Sequence, residues 1–146
     1  HRYEISNYAK EGQECIHNLK YWQGGDYLGL GLGAASCMEH ERWSNARGLT
    51  DYEDRICRGQ KPVEQTEELG EEEQKAEFMF LGLRCMEGVS AEQFEKKFHQ
   101  SVEERYGKVL HKYENMGLMR LVNGNWQLTE QGIDVSNHIF ADFLPE

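Results

Sequence analysis

The chain has 146 residues, enough for one ordinary domain or two small ones, and its 38% apolar and 11% aromatic content can build a core. A mean hydropathy of -0.79 describes a strongly polar surface, and no apolar run approaches the roughly 20 residues of a membrane-crossing helix. The formal net charge of -10 argues against a nucleic-acid partner and fits a cytoplasmic protein or a partner with basic patches.

The chain opens on His1-Arg2-Tyr3-Glu4-Ile5, with no initiator Met and no secretory signal, and reads as a cut through a longer protein. Cys15, Cys37, Cys57 and Cys85 are widely spaced, and no CxxC pair exists. They are expected to be reduced thiols, mostly packed as small hydrophobes.

Residues 2–5 read as a strand end, followed by a loop over 6–18. Within and after that loop, His17-Asn18-Leu19-Lys20-Tyr21-Trp22 offers an imidazole with aromatic rings four and five residues later. Residues 27–32 read as a second strand, with Gly29, Gly31 and Gly33 allowing close backbone approach. Residues 42–46 read as a third. Thr50-Asp51-Tyr52-Glu53 has capping-box spacing and predicts a short helix ending near Gly59, with Pro62 beyond it. Residues 60–70 read as a linker. Seven glutamates against Lys75 over residues 64–77 read as a solvated face or helix entry.

The second half is more periodic. Ala76, Met79, Phe80 and Leu83 keep helical spacing, with Phe78, Leu81 and Cys85 on another face. Ser90-Ala91-Glu92-Gln93 caps a second helix carrying Phe94 and Phe98. Val102, Tyr106, Val109, Leu110 and Tyr113 form the stripe of a third, which Gly117 can end. Asn123-Gly124 predicts a two-residue hairpin, and Thr129 caps a last helix with Ile133, Ile139, Phe140 and Phe143. Three helices, a hairpin and a helix outline a winged-helix unit. Its third helix sets Arg105, Lys108 and Lys112 against Glu103, Glu104 and Glu114. That near-neutral balance favours a packing or lid module over DNA insertion.

Candidate ligands are few. His17 is the histidine with motif context, and Cys15 two residues before it is a second soft donor. His40, His99, His111 and His138 show no metal spacing, and His111 reads as a helix surface or boundary residue. No Ser-His-Asp or Cys-His constellation can be assigned.

Tyr3-Glu4-Ile5-Ser6-Asn7-Tyr8-Ala9-Lys10, the HNxxYW segment at 17–22, and Asp26-Tyr27-Leu28-Gly29-Leu30-Gly31-Leu32-Gly33-Ala34-Ala35 occur in this order. Together with the winged-helix outline, the chain resembles the C-terminal part of the HemW-type proteins. These stand with the oxygen-independent coproporphyrinogen III oxidases among radical S-adenosylmethionine (SAM) proteins.

The resemblance implies an α+β chain. Residues 1–60 would be the last strands and helix of a partial (β/α) radical SAM barrel, and residues 61–146 a winged-helix-like HemN C-terminal domain. It implies a heme chaperone, with His17, Asn18, Tyr21 and Trp22 handling heme and His17 as ligand of the heme iron. Gly29, Gly31, Gly33, Ala34 and Ala35 match the SAM-facing barrel strand. The family's four-iron (4Fe-4S) cluster is held by a CxxxCxxC motif, which this chain lacks. Cluster and SAM would therefore belong to an intact protein with the N-terminal barrel half, and the fragment alone should be inactive as an enzyme. Ala35, Ser36 and Cys37 depart from relatives that carry His after the Gly-Ala pair. The other reading the resemblance allows is coproporphyrinogen III decarboxylation. A heme-acceptor protein is the implied partner of the first.

Overall fold

The computed structural model describes residues 1–145. In chain order its elements are β1 (Arg2–Glu4), β2 (Asn7–Tyr8), α1 (Ile16–Trp22), β3 (Ala35–Met38), β4 (Glu41–Asn45), α2 (Leu49–Cys57), β5 (Val63–Glu68) and α3 (Glu71–Gly82). They continue with β6 (Val89–Ser90), α4 (Ala91–Phe98), α5 (Val102–Asn115), β7 (Met119–Val122), β8 (Asn125–Leu128), α6 (Glu130–Asp134) and α7 (Ser136–Ala141). This is a mixed α/β chain. No helix among the described residues is long and apolar enough to cross a membrane.

Two compact units divide the chain after Gly24 and after Glu71, rather than near residue 60. One is Gly25–Glu71; the other joins His1–Gly24 to the chain from Glu72 onward. Backbone pairing explains why the first residues go with the last. The Ile5 N–H donates to the Arg84 carbonyl at 3.0 Å and the Met86 N–H to the Tyr3 carbonyl at 3.1 Å. Glu4 and Cys85 form an antiparallel bridge between these two bonds.

The larger unit has a dense core. Met79, Leu83, Phe94, Leu110, Ile139 and Phe143 are fully buried, as the helical spacings anticipate. Phe94 lies at its centre, with ring centroids 5.6 Å from Phe78, 4.8 Å from Phe98 and 6.0 Å from Tyr106. Ser90 accepts from the Gln93 N–H and opens α4. Ser101 and Glu104 make a full reciprocal capping box on α5, a Ser-x-x-Glu signal that the apolar stripe overshadows in the sequence. Asn123 and Gly124, both at positive φ (50° and 82°), turn β7 into β8. β6 then adds to β8, giving the order β6-β8-β7. The anticipated last helix is two, α6 capped by Thr129 and α7, separated at Val135.

The smaller unit is a three-stranded antiparallel sheet, β3-β4-β5, with α2. Here the structure corrects the sequence reading. Residues 60–70 are not simply a linker: β5 pairs with β4 through Trp43↔Thr66 and Arg42↔Glu67. Its exposed glutamates hide a strand whose register comes from a partner strand, not from its own propensity. Residues 27–32 are not a strand, and β3 begins only at Ala35. Helix α2 starts after Gly48 with no side-chain cap, so Thr50 lies inside it. Cysteines differ from the expected packing too: Cys85 is buried, but Cys15 and Cys57 are exposed.

Candidate functional site

The HNxxYW segment lies on a helix, α1, and not on the loop expected over 6–18. Helical spacing separates its four motif residues into two pairs, each one turn apart. Asn18 and Trp22 are half-buried with Leu19; His17 and Tyr21 are exposed with Ile16 and Lys20. Ile16 is 81% exposed and Tyr21 40% exposed. The outward face is therefore an imidazole flanked by apolar surface. The His17 ring makes no hydrogen bond or ion pair among the described residues. A backbone hydrogen bond to the ring, which would make it an ordinary structural histidine, is absent among those residues.

What fixes α1 is on its inner side. Tyr21 meets Trp22 edge to face at 5.1 Å. The Arg84 guanidinium lies 4.4 Å from the Trp22 ring centroid. Arg84 also donates to the Glu4 carboxylate, from Nε at 2.9 Å and from Nη2 at 2.6 Å. Glu4 is 0% exposed. Its other oxygen accepts from the Ser6 N–H at 2.9 Å and from Asn7 Nδ2 at 2.6 Å. Burial pushes the Glu4 carboxyl up, but these donors and the Arg84 charge outweigh it and hold the group below the usual carboxylate range. The Tyr3–Asn7 motif thus builds a receptor for Arg84, which in turn carries Trp22.

Neither Glu4 nor Arg84 stands out as functional in the sequence. A glutamate within a strand gives a faint signal, since a buried carboxylate needs a cation. The cation is 80 residues away and has no local signature.

A heme fits the donor chemistry of α1. Iron held by a porphyrin still takes a donor from protein, and the uncommitted His17 imidazole beside apolar side chains could supply it. Among the described residues no group of three His, Cys, Asp or Glu is placed to hold a metal ion by itself.

In the smaller unit, Gly29, Gly31, Gly33 and Ala34 belong to a tightly stitched loop entering β3, whose first residue is Ala35. Tyr27 and Cys37 exchange two backbone bonds at 2.9 Å, and the Gly29 N–H donates to Ser36 Oγ at 2.9 Å. Asn45 Nδ2 donates to the Gly31 carbonyl at 2.9 Å, and the Asn45 N–H to the Ala34 carbonyl at 2.9 Å. A Cβ on Gly29 would stand 2.2 Å from the Ala35 carbonyl oxygen, while Gly31 and Gly33 hold positive φ of 101° and 64°. The glycines are required by the loop's own path. Leu28, Leu30 and Leu32 between them are exposed.

The HemN C-terminal domain family model matches residues 69–135. The heme chaperone HemW of Bacillus subtilis is 39% identical over 146 residues, which is 100% of this chain and 38% of that protein. The chain belongs with the HemW- and HemN-type proteins. HemW of Lactococcus lactis is 34% identical over 97% of the chain, and HemW of Escherichia coli 29% identical over 99%. The chain spans 38% of the length of the Bacillus relative and 37% of the Lactococcus one. Among solved structures it shares its fold with coproporphyrinogen III oxidase (HemN) from E. coli, a radical SAM enzyme. That match has a TM-score of 0.67 at 18% identity and covers 82% of this chain and 28% of that one.

Proposed function

We propose that this chain is the C-terminal part of a heme-binding radical SAM protein that acts as a heme chaperone, holding heme at α1 and passing it to an acceptor protein. The exposed, unpartnered imidazole of His17, one turn from Tyr21, carries this reading. His17 would ligate the heme iron, Tyr21 would lie beside the porphyrin, and Asn18 and Trp22 would hold the helix. Bound heme would supply an iron centre that the His17 imidazole would hold. The relatives named heme chaperone HemW support this function over the alternative, oxygen-independent coproporphyrinogen III oxidation.

The finer architecture follows the same reading. Residues 1–60 would supply the end of the partial barrel with the HNxxYW segment. Within residues 61–146, the chain from Glu72 onward would form a winged-helix-like domain in which β7 and β8 are the wing and β6 its third strand. The order β6-β8-β7, behind helices α4 and α5, supports that description. SAM, a 4Fe-4S cluster and the N-terminal barrel half complete the intact protein. Contact of Gly29, Gly31, Gly33, Ala34 and Ala35 with SAM is carried by the resemblance alone, since the loop's own geometry accounts for the glycines. The net charge of -10 supports a cytoplasmic location with no nucleic-acid partner.

An anaerobic coproporphyrinogen III assay on the cluster-loaded, full-length protein separates the two functions. The chaperone reading expects no decarboxylated product from a protein that binds hemin. Turnover of the porphyrinogen would establish the alternative.

A further inference from the structure

We propose that Arg84 is the positioning residue of the heme-handling helix: it clamps Trp22 against the buried carboxylate of Glu4, so that His17 and Tyr21 are presented in one orientation. The role in heme binding rests on the function proposed above; the clamp itself rests on geometry.

Helix α1 cannot hold itself. It has seven residues, none of them buried, and its N-cap Cys15 makes no side-chain cap bond. Isolated helices shorter than about 12 residues are marginal in water. Trp22 does not anchor itself by its polar atom either, because Nε1 is buried without a hydrogen-bond partner among the described residues. The indole is held through its face, and the group over that face is Arg84 at 4.4 Å.

The guanidinium suits both contacts. Its edge gives Nε and Nη2 to one oxygen of Glu4, at 2.9 and 2.6 Å, while its plane is free to cover the indole. A lysine could keep the charge but not both contacts. Glu4 is fixed in turn by Ser6 and Asn7, and the Arg84 carbonyl accepts from Ile5, so backbone and side chain of Arg84 grip the same strand. Arg84 lies within residues 69–135, the HemN C-terminal domain. Through it that domain holds a helix that begins 68 residues earlier in the chain, at Ile16.

The test compares wild type, Arg84→Lys and Trp22→Leu by hydrogen–deuterium exchange and by hemin spectra. Trp22→Leu leaves the Arg84–Glu4 pair intact, so it loosens α1 without opening the strand contact. The amides of Leu19, Gln23 and Gly24, which bond within α1 and its C-cap, should exchange roughly tenfold faster in both variants, with α5 unchanged. Hemin should bind roughly tenfold more weakly, with a mixed axial-ligation spectrum. Unchanged α1 exchange in both variants would overturn the clamp. Faster α1 exchange with an unaltered heme spectrum would confine Arg84 to structure and overturn its positioning role. Should wild type bind no hemin, the function proposed above and this heme role fall together, and the exchange data decide the clamp alone.

Discussion

Arg84 touches Glu4 and Trp22 at once, and so joins the buried carboxylate of the N-terminal strand to the aromatic end of α1. Breaking this pair leaves a charge without its partner. Glu4→Gln should lower the unfolding free energy by about 2–3 kcal/mol, the range for a buried, hydrogen-bonded charge pair that keeps some solvent contact. The pH dependence follows from the lowered carboxyl. Its contribution is fully present above the ordinary value of 4.5 and is lost as pH falls through the lower folded value. Urea titrations from pH 7 down to pH 3 should show the mutant losing less stability on acidification than wild type.

His111 works in the opposite direction. Its Nδ1 lies 2.9 Å from Glu114 and its Nε2 2.6 Å from Glu103, and these two carboxylates raise its pKa above 6.5. A raised folded value stabilises the protein below 6.5, and that contribution disappears as pH rises through the folded value. An NMR titration of the imidazole should find its midpoint above 6.5, and Glu103→Gln with Glu114→Gln should return it toward that value. An unshifted midpoint in wild type would contradict the pairing.

Thiol reactivity separates the cysteines. Burial and the nearby carboxylates push the Cys85 thiol up to about 11. Cys15 and Cys57 are exposed. Iodoacetamide at neutral pH should modify Cys15 and Cys57 in the folded protein and reach Cys85 only on unfolding, as mass spectrometry of timed samples would report.

The two hairpins show how unevenly the fold was written in the sequence. Asn123-Gly124 announces its turn, because both residues tolerate positive φ. The β3–β4 turn uses Glu39 and His40 at φ of 48° and 74°, residues that send no turn signal. With that turn silent, no local signal marks β3, and the glycine-rich residues before it read as the strand. Replacing Glu39-His40 by Asn-Gly should raise stability by about 0.5–1 kcal/mol, by relieving two positive-φ positions. A lower thermal midpoint in that variant would contradict the turn geometry.

The C-terminal core was legible for the same reason that it is strong: its signals are local and agree with one another. Helical spacing, Ser90 and Thr129 caps and the Asn-Gly turn all point to one packing. Phe94→Ala, which empties the space between the rings of Phe78, Phe98 and Tyr106, should cost about 3–5 kcal/mol. The HNxxYW segment was legible as a motif but not as a helix. Seven residues without a buried position or a capping side chain carry little helical signal. The Arg84–Glu4 pair that stabilises it joins residues 80 positions apart, which no local pattern encodes.

On the proposed function, α1 presents His17 to heme iron. The most direct measurement is a hemin titration followed at the Soret band, with wild type and His17→Ala compared in the full-length protein. Wild type should show saturable one-site binding, whose spectrum changes and whose affinity falls by roughly tenfold or more when the imidazole is removed. Binding of equal strength and identical spectrum in both proteins would remove His17 from the site, and no binding by wild type would contradict the heme-chaperone function itself.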